Sequence, residues 1–207
     1  MNTSTKQRTV RISTVLVATR NPGKLREFRA LLAPAGWSVL GLDALAEPAT
    51  EPAEEGATFA DNARVKALAV CEATELAVLA DDSGLEVAAL GGRPGVYSAR
   101  YSGAHAADGD RIAKLLEELG AERDRRARFV CALALAQKGT LLAEALGECP
   151  GEIAEQPRGS HGFGYDPVFL VPELGRTFAE LSEAEKNLRS HRARALRDLL
   201  DRLAAES

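Results

Sequence analysis

Cysteine is scarce in this sequence. The three present, Cys71, Cys131 and Cys149, are widely separated and form no CxxC pair. That argues against a disulfide framework and a zinc site, and it fits a reducing, cytoplasmic setting. A basic surplus is also missing. The chain has 26 Lys and Arg against 30 Asp and Glu, a formal charge of −4, so no global field points to nucleic acid as a partner. An anionic ligand would need its counter-charges gathered locally. No stretch of about 18 apolar residues occurs, so no membrane span is expected. Residues 1–14 lack the apolar segment of a secretory signal and are expected to form a flexible tail, with 15–207 as one domain. No internal repeat, low-complexity tract or Gly-, Ser- or Pro-rich linker divides that domain. The GxxxxGK(S/T) phosphate loop is absent too.

What is present is a chain 45% hydrophobic, enough to bury a full core, in which strand and helix patterns alternate. Val15–Thr19 reads as a buried strand, Arg20–Gly23 as a turn, and Leu25–Leu32 as a helix with Leu25, Phe28, Leu31 and Leu32 along one side. Trp37–Leu42 is a second strand, Pro48–Gly56 an acidic loop and Asp61–Leu76 a second helix. This alternation predicts an α/β fold. Further on, Asp108–Leu119 reads as a helix ended by Gly120. Phe129–Ala136 and Leu141–Gly147 read as a hairpin across Lys138-Gly139, and Val168–Val171 as a short strand. Ser182 and Glu185 have capping-box spacing. Leu196, Leu199, Leu200 and Leu203 mark one face of a terminal helix.

The segment richest in chemistry is Leu79-Ala80-Asp81-Asp82-Ser83-Gly84. An apolar run from Leu76 ends in two adjacent acids, a hydroxyl and a glycine, which reads as a buried strand delivering carboxylates to a turn. Adjacent carboxylates repel unless a proton or cation offsets them. Mg2+ is the simplest such cation, because hard ions take oxygen ligands; a solvated Asp-Ser-Gly turn is the alternative. Four other groupings add to it. Thr19-Arg20-Asn21-Pro22-Gly23-Lys24 is a strand-turn-helix junction whose N–H groups and lysine suit phosphate. Asn62 and Lys66, four apart on a helix, could present an amide and an ammonium to one oxyanion. Between Arg158 and Pro167, glycines allow close backbone approach, Phe163 and Tyr165 offer a face for a base, and Asp166 can accept from a ring N–H. Lys186 and Ser190-His191-Arg192 place cations at the start of the terminal helix, with Ser190 as its cap.

Taken in order, Ala18–Lys24, Thr58–Ala63, Ala80–Leu85, Pro94–Tyr101, Gly162–Pro167 and Glu185–Arg192 resemble the inosine triphosphate pyrophosphatase family, the Ham1-like dITP/XTP pyrophosphatases. The resemblance runs from about Val15 to Leu203. A local departure is Arg20, where the family often has a smaller residue. The resemblance implies a long twisted mixed sheet with flanking helices, two lobes with a central cleft, and a homodimer. It implies Mg2+-dependent hydrolysis of ITP, dITP and XTP to the monophosphate and pyrophosphate, which cleanses the nucleotide pool. By motif, Asp82 takes the catalytic acid–base and metal position. Glu54 is its expected metal partner, with Glu55 adjacent. Ser83, Thr19, Arg20, Asn21, Pro22, Gly23 and Lys24 take substrate-binding positions, as do Phe163, Gly164, Tyr165, Asp166, Lys186, His191 and Arg192.

On this reading Lys24 and Lys66 meet the phosphates, and Asp81 or Asp82 accepts the proton of the attacking water. Arg192 or Lys186 donates to the O6 that distinguishes hypoxanthine and xanthine from adenine. A general nucleotide phosphohydrolase would need the same acids and lysines without the aromatic loop. A nucleotide-binding sensor without turnover would not need Asp82 beside a metal.

Overall fold

The computed structural model describes residues 12–46, 52 and 55–205. Residues 1–11 of the expected tail lie outside these. Its expected end at residue 14 is too late, because Ser13 accepts a main-chain hydrogen bond from Ser38 and Thr14 opens the first strand.

Seven strands form one mixed sheet in the order β2-β1-β3-β4-β5-β6-β7. β1 (Thr14–Ala18) lies parallel to β2 (Ser38–Gly41) and to β3 (Val78–Val87). β4 (Arg126–Gln137), β5 (Thr140–Ile153), β6 (Phe169–Val171) and β7 (Arg176–Thr177) continue antiparallel from β3. The hairpin between β4 and β5 turns at Lys138 and Gly139, with φ of 53° and 70°. Positive φ at both central residues is the two-residue turn that matches strand twist. β5 runs six residues past the expected Gly147, and Pro150 does not stop it. β6 joins only at Glu152 and Ile153, so β5 is an open edge at Pro150, where a missing N–H breaks no ladder.

Helices cover both faces. α1 (Pro22–Leu32) follows β1 and packs Phe28 and Leu32 against Val15, Val17, Leu79 and Leu133. α5 (His191–Ala205) joins that face through Ala195, Leu196 and Leu199. α2 (Phe59–Thr74) covers the other face with Ala63, Ala67 and Val70. The chain therefore leaves β1 toward β2 by a helix on one face and reaches β3 by a helix on the other. At such a reversal of strand order a crevice opens beyond the carboxyl end of the parallel strand. α3 (Asp108–Leu119) packs Ile112, Leu115 and Leu119 into a third cluster with Phe129, Tyr165, Phe169 and Phe178. The short α4 (Glu183–Asn187) carries the expected capping box of Ser182 and Glu185.

Candidate active site

The paired acids do not sit in a turn. β3 continues through Asp81, Asp82, Ser83 and Gly84 to Val87, each residue paired with β4. The polar residues that look like a turn locally are held extended by ten consecutive cross-strand partners. β1 stops pairing at Ala80, so the acids lie where one edge of β3 is released. Successive strand residues point to opposite faces. Asp81 therefore points toward α1 and α5, and Asp82 toward α2, which relieves the repulsion expected of neighbours in a turn.

On the α1 and α5 face, charges of alternating sign form a buried chain. Asp81 takes Lys24 Nζ on one oxygen and Arg192 Nε, at 3.1 Å, on the other. Arg192 Nη1 reaches Glu27, whose second oxygen lies 2.7 Å from Lys186 Nζ. Lys186 in turn donates to Asp166 Oδ2 at 2.5 Å. Three acids and three bases thus link the phosphate turn to the Gly-rich loop. Burial alone would push Asp81 and Glu27 up, but Lys24 and Arg192 for the first, and Arg192 and Lys186 for the second, outweigh it and hold both carboxyls below the usual range. Asp166 goes the other way: burial wins over its single cation and raises it. Cys131 Sγ, 3.1 Å from Asp81 Oδ2, completes that cage. Glu27 was not legible in the sequence. It reads as an ordinary helix-surface charge, and its partners lie 159 and 165 positions away.

On the α2 face, Asn62 Nδ2 donates to Asp82 Oδ2 at 2.8 Å, and Asn62 Oδ1 accepts from Gly56 N–H at 2.7 Å. Asn62 and Lys66 share the buried side of α2, as their spacing predicts. Lys66 Nζ lies 3.4 Å from the main-chain oxygen of Asp81, beyond the point where β1 ends. Glu54 lies outside the described residues.

The Thr19–Lys24 junction caps α1. Asn21 Oδ1 accepts from Gly23 and Lys24 N–H at 2.8 and 3.1 Å, and Pro22 opens the helix. The cap occupies two N–H groups expected to face an anion, so binding there falls more to side chains, Lys24 above all. Gly23 is required by packing: a Cβ there would lie 2.4 Å from the Phe163 ring.

The Gly-rich loop is braced by Phe163 N–H donating to Asp166 Oδ2 at 2.9 Å. The Phe163 ring lies over Lys186 Nζ at 4.8 Å and over the Arg192 guanidinium at 5.6 Å. Tyr165 is turned into the core and donates to Ser98 O, so Phe163 is the loop's available aromatic face. Ser190 Oγ caps α5 through Ala193 N–H at 3.2 Å, as its sequence predicts. Arg192 is 2% exposed and uses three N–H groups on Asp81, Glu27 and Ser83. His191 stacks on Phe129 with centroids 4.7 Å apart; burial, then Arg192 and Lys186, depress its pKa well below the usual histidine value, so it is neutral.

One cavity collects nearly all of these groups: Thr19, Arg20, Asn21 and Lys24 at one part, Lys66, Asp82 and Ser83 at a second, and Phe163–Asp166, Lys186, His191 and Arg192 at a third. Asp81 is not among its lining residues. It holds cavity cations from behind and is not placed to accept a proton there. Among the described residues no group of three His, Cys, Asp or Glu could hold a metal. Asp82 brings a carboxylate to the same cavity as Lys24 and Lys66. That fits Mg2+, which commonly binds through one or two carboxylates with substrate phosphates and water completing its shell. Among the described residues no helix is long and apolar enough to cross a membrane.

These features agree with what the chain is similar to. A family model described as the Ham1 family matches residues 15–202. A dITP/XTP pyrophosphatase of Gloeobacter violaceus is 55% identical over 186 residues, covering 90% of this chain and 92% of the relative. One from Thermus thermophilus is 53% identical, covering 90% of each. The solved structure of the Staphylococcus aureus Ham1 protein superposes with a TM-score of 0.82 at 41% identity, covering 94% of this chain and all of that one. With the family match spanning nearly the whole described fold, this chain belongs to the Ham1 family.

Proposed function

We propose that this chain is a hydrolase that cleaves deaminated purine nucleoside triphosphates, ITP, dITP and XTP, to the monophosphate and pyrophosphate, with Mg2+ and as a homodimer. The observation that carries the reading is the convergence, in one cavity, of a phosphate-type lysine pair, the Asp82 carboxylate held by Asn62, and an aromatic loop backed by two cations. The relatives named dITP/XTP pyrophosphatase support it.

Lys24 and Lys66 bind the triphosphate, whose charge a chain of formal charge −4 cannot meet without local cations. Asp82 would hold Mg2+, with Glu54 its proposed second ligand, and the ion would supply charge neutralisation and water activation. Water attacks the α-phosphorus, the bond to the β-phosphate bridging oxygen breaks, and Asp82, held by Asn62, takes the proton. Asp81 holds Lys24 and Arg192 in place by ion pairs. Arg192 has two N–H groups beyond the three already used, and Phe163 covers the same guanidinium. A base stacked there offers O6 to donors, whereas the adenine amino group meets donors with a donor. A site built on such bonds rejects the mismatched analogue by about 10⁴–10⁵ at best.

The deciding experiment is product analysis with ITP, dITP, XTP, GTP and ATP, with and without Mg2+. The expected result is pyrophosphate from the first three and loss of activity in EDTA. Orthophosphate as the product would favour a general phosphohydrolase, and binding without turnover a sensor. Full activity in metal-free buffer would remove the metal from the reading, and sedimentation velocity reports the dimer. Gly23→Ala is a sharper probe. Its methyl would displace the Phe163 ring, and kcat/KM for ITP is expected to fall by about tenfold or more, because small misplacements in a site cost that much. An unchanged kcat/KM would mean that the Phe163 position is not used.

A further inference from the structure

Asp108 and Arg111, in the first turn of α3, line the cavity without a part in the chemistry above. Asp108 Oδ2 accepts from Gly164 N–H at 2.6 Å. Its other oxygen is held by Arg111 Nη2. Arg111 Nη1 donates to Ala99 O and to Ala106 O, both at 2.8 Å. One ion pair therefore joins α3 to the Gly-rich loop and to the segment Gly95–Arg100, two cavity walls far apart in sequence.

The pair is not needed to start the helix. Asp110 does that, accepting from Ala107 N–H at 3.1 Å. Nor is Asp108 free to move with its loop, because α3 is anchored by Ile112, Leu115 and Leu119 in the same cluster as Tyr165. The N–H of Gly164 belongs to the peptide plane that begins at the Phe163 carbonyl. Fixing that N–H from α3 fixes the plane carrying Phe163, at a residue whose φ of 62° an ordinary side chain would resist. On the far side of Phe163 the loop is braced by Asp166 and Lys186. Phe163 is thus held between two anchors, one of them on α3.

We propose that Asp108 is a positioning residue for base selection: with Arg111 behind it, it holds Gly164 so that the Phe163 ring stays over Lys186 and Arg192. This rests on the proposed function for its substrate and stands apart from it in its structural half. Two variants separate the hydrogen bond from the charge. Asp108→Ala removes both. Asp108→Asn keeps an oxygen for Gly164 N–H and gives up the ion pair.

The first measurement is amide hydrogen exchange over Gly162–Asp166 in the ligand-free protein, which needs no substrate. The second is the ratio of kcat/KM for ITP to that for ATP, with melting temperature as a control. Asp108→Ala is expected to speed exchange at Gly164 by about tenfold and to lower the ITP to ATP ratio by about the same factor, the scale of a lost hydrogen bond to a charged group. Asp108→Asn is expected to keep both within about threefold, the bond being retained. Unchanged exchange in Asp108→Ala would overturn the proposal. So would an equal loss on ITP and ATP, or an Asn variant as impaired as the Ala variant. A wild type with no ITP preference would overturn the functional reading and the base-selection half, while the exchange result would still decide whether Asp108 fixes the loop.

Discussion

Asp82→Asn is expected to lower kcat by about 100-fold or more, because general acid–base catalysis alone contributes roughly 10²–10⁴-fold. The substitution keeps volume, and the amide oxygen can still accept from Asn62 Nδ2. It removes the cavity carboxylate that Asn62 holds on the α2 face. The fold is expected to survive, since a neutral amide is no harder to bury than the carboxylate it replaces. The measurement is kcat at saturating ITP and Mg2+, with circular dichroism as the control for folding. A folded variant retaining more than about a tenth of wild-type kcat would take the proton-accepting role away from Asp82.

Arg192→Ala is expected to act first on stability. The sequence suggests a clean probe of base reading at this position. The structure corrects that, because the guanidinium lies between Asp81 and Glu27 and is 2% exposed. Removing it leaves two buried carboxylates with one cation each. Breaking a buried pair in this way costs about 3–5 kcal/mol. For a chain of this length that corresponds to a fall in melting temperature of roughly 6–20 °C. The effect has a pH signature. Asp81 and Glu27 are held below the usual carboxylate range, so their contribution is complete at neutral pH and is lost as pH falls through their folded values. Without Arg192 both rise, and acid unfolding should begin at a higher pH. Calorimetry across pH checks both points: a variant that melts with the wild type at neutral and acid pH would show that the chain of charges is not what holds these elements together. The ITP to ATP selectivity of Arg192 is then better tested with Arg192→Lys, which keeps the charge and removes the fork.

The site was legible in the sequence wherever chemistry is carried by residue type at short range. Asn62 and Lys66 on one helix face, Ser190 as a cap, and the strand-turn-helix form of the Thr19–Lys24 junction follow from local spacing and appear as expected, although Asn21 takes two of the junction's N–H groups. The fold class followed from the alternation of periods. What failed did so for one reason. Asp81–Gly84 has the composition of a turn, and only the ten-residue pairing with β4 makes it a strand. Glu27 and Asp108 look like helix-surface acids until their partners, Arg192 and Gly164, arrive from far along the chain. Local pattern does not encode which distant group a side chain will meet.

The opposed facing of Asp81 and Asp82 bears on which changes in length such a sequence can accept. In a strand, a slip of one residue exchanges the faces of every side chain. Deleting one residue between Val78 and Asp81 would turn the carboxylate that steadies Lys24 and Arg192 toward α2, and the one held by Asn62 toward α5. Two functions would be lost with no polar residue altered. Insertions and deletions are therefore excluded from β3 by its geometry, and they are left to connections such as residues 120–125, which do not line the candidate active site.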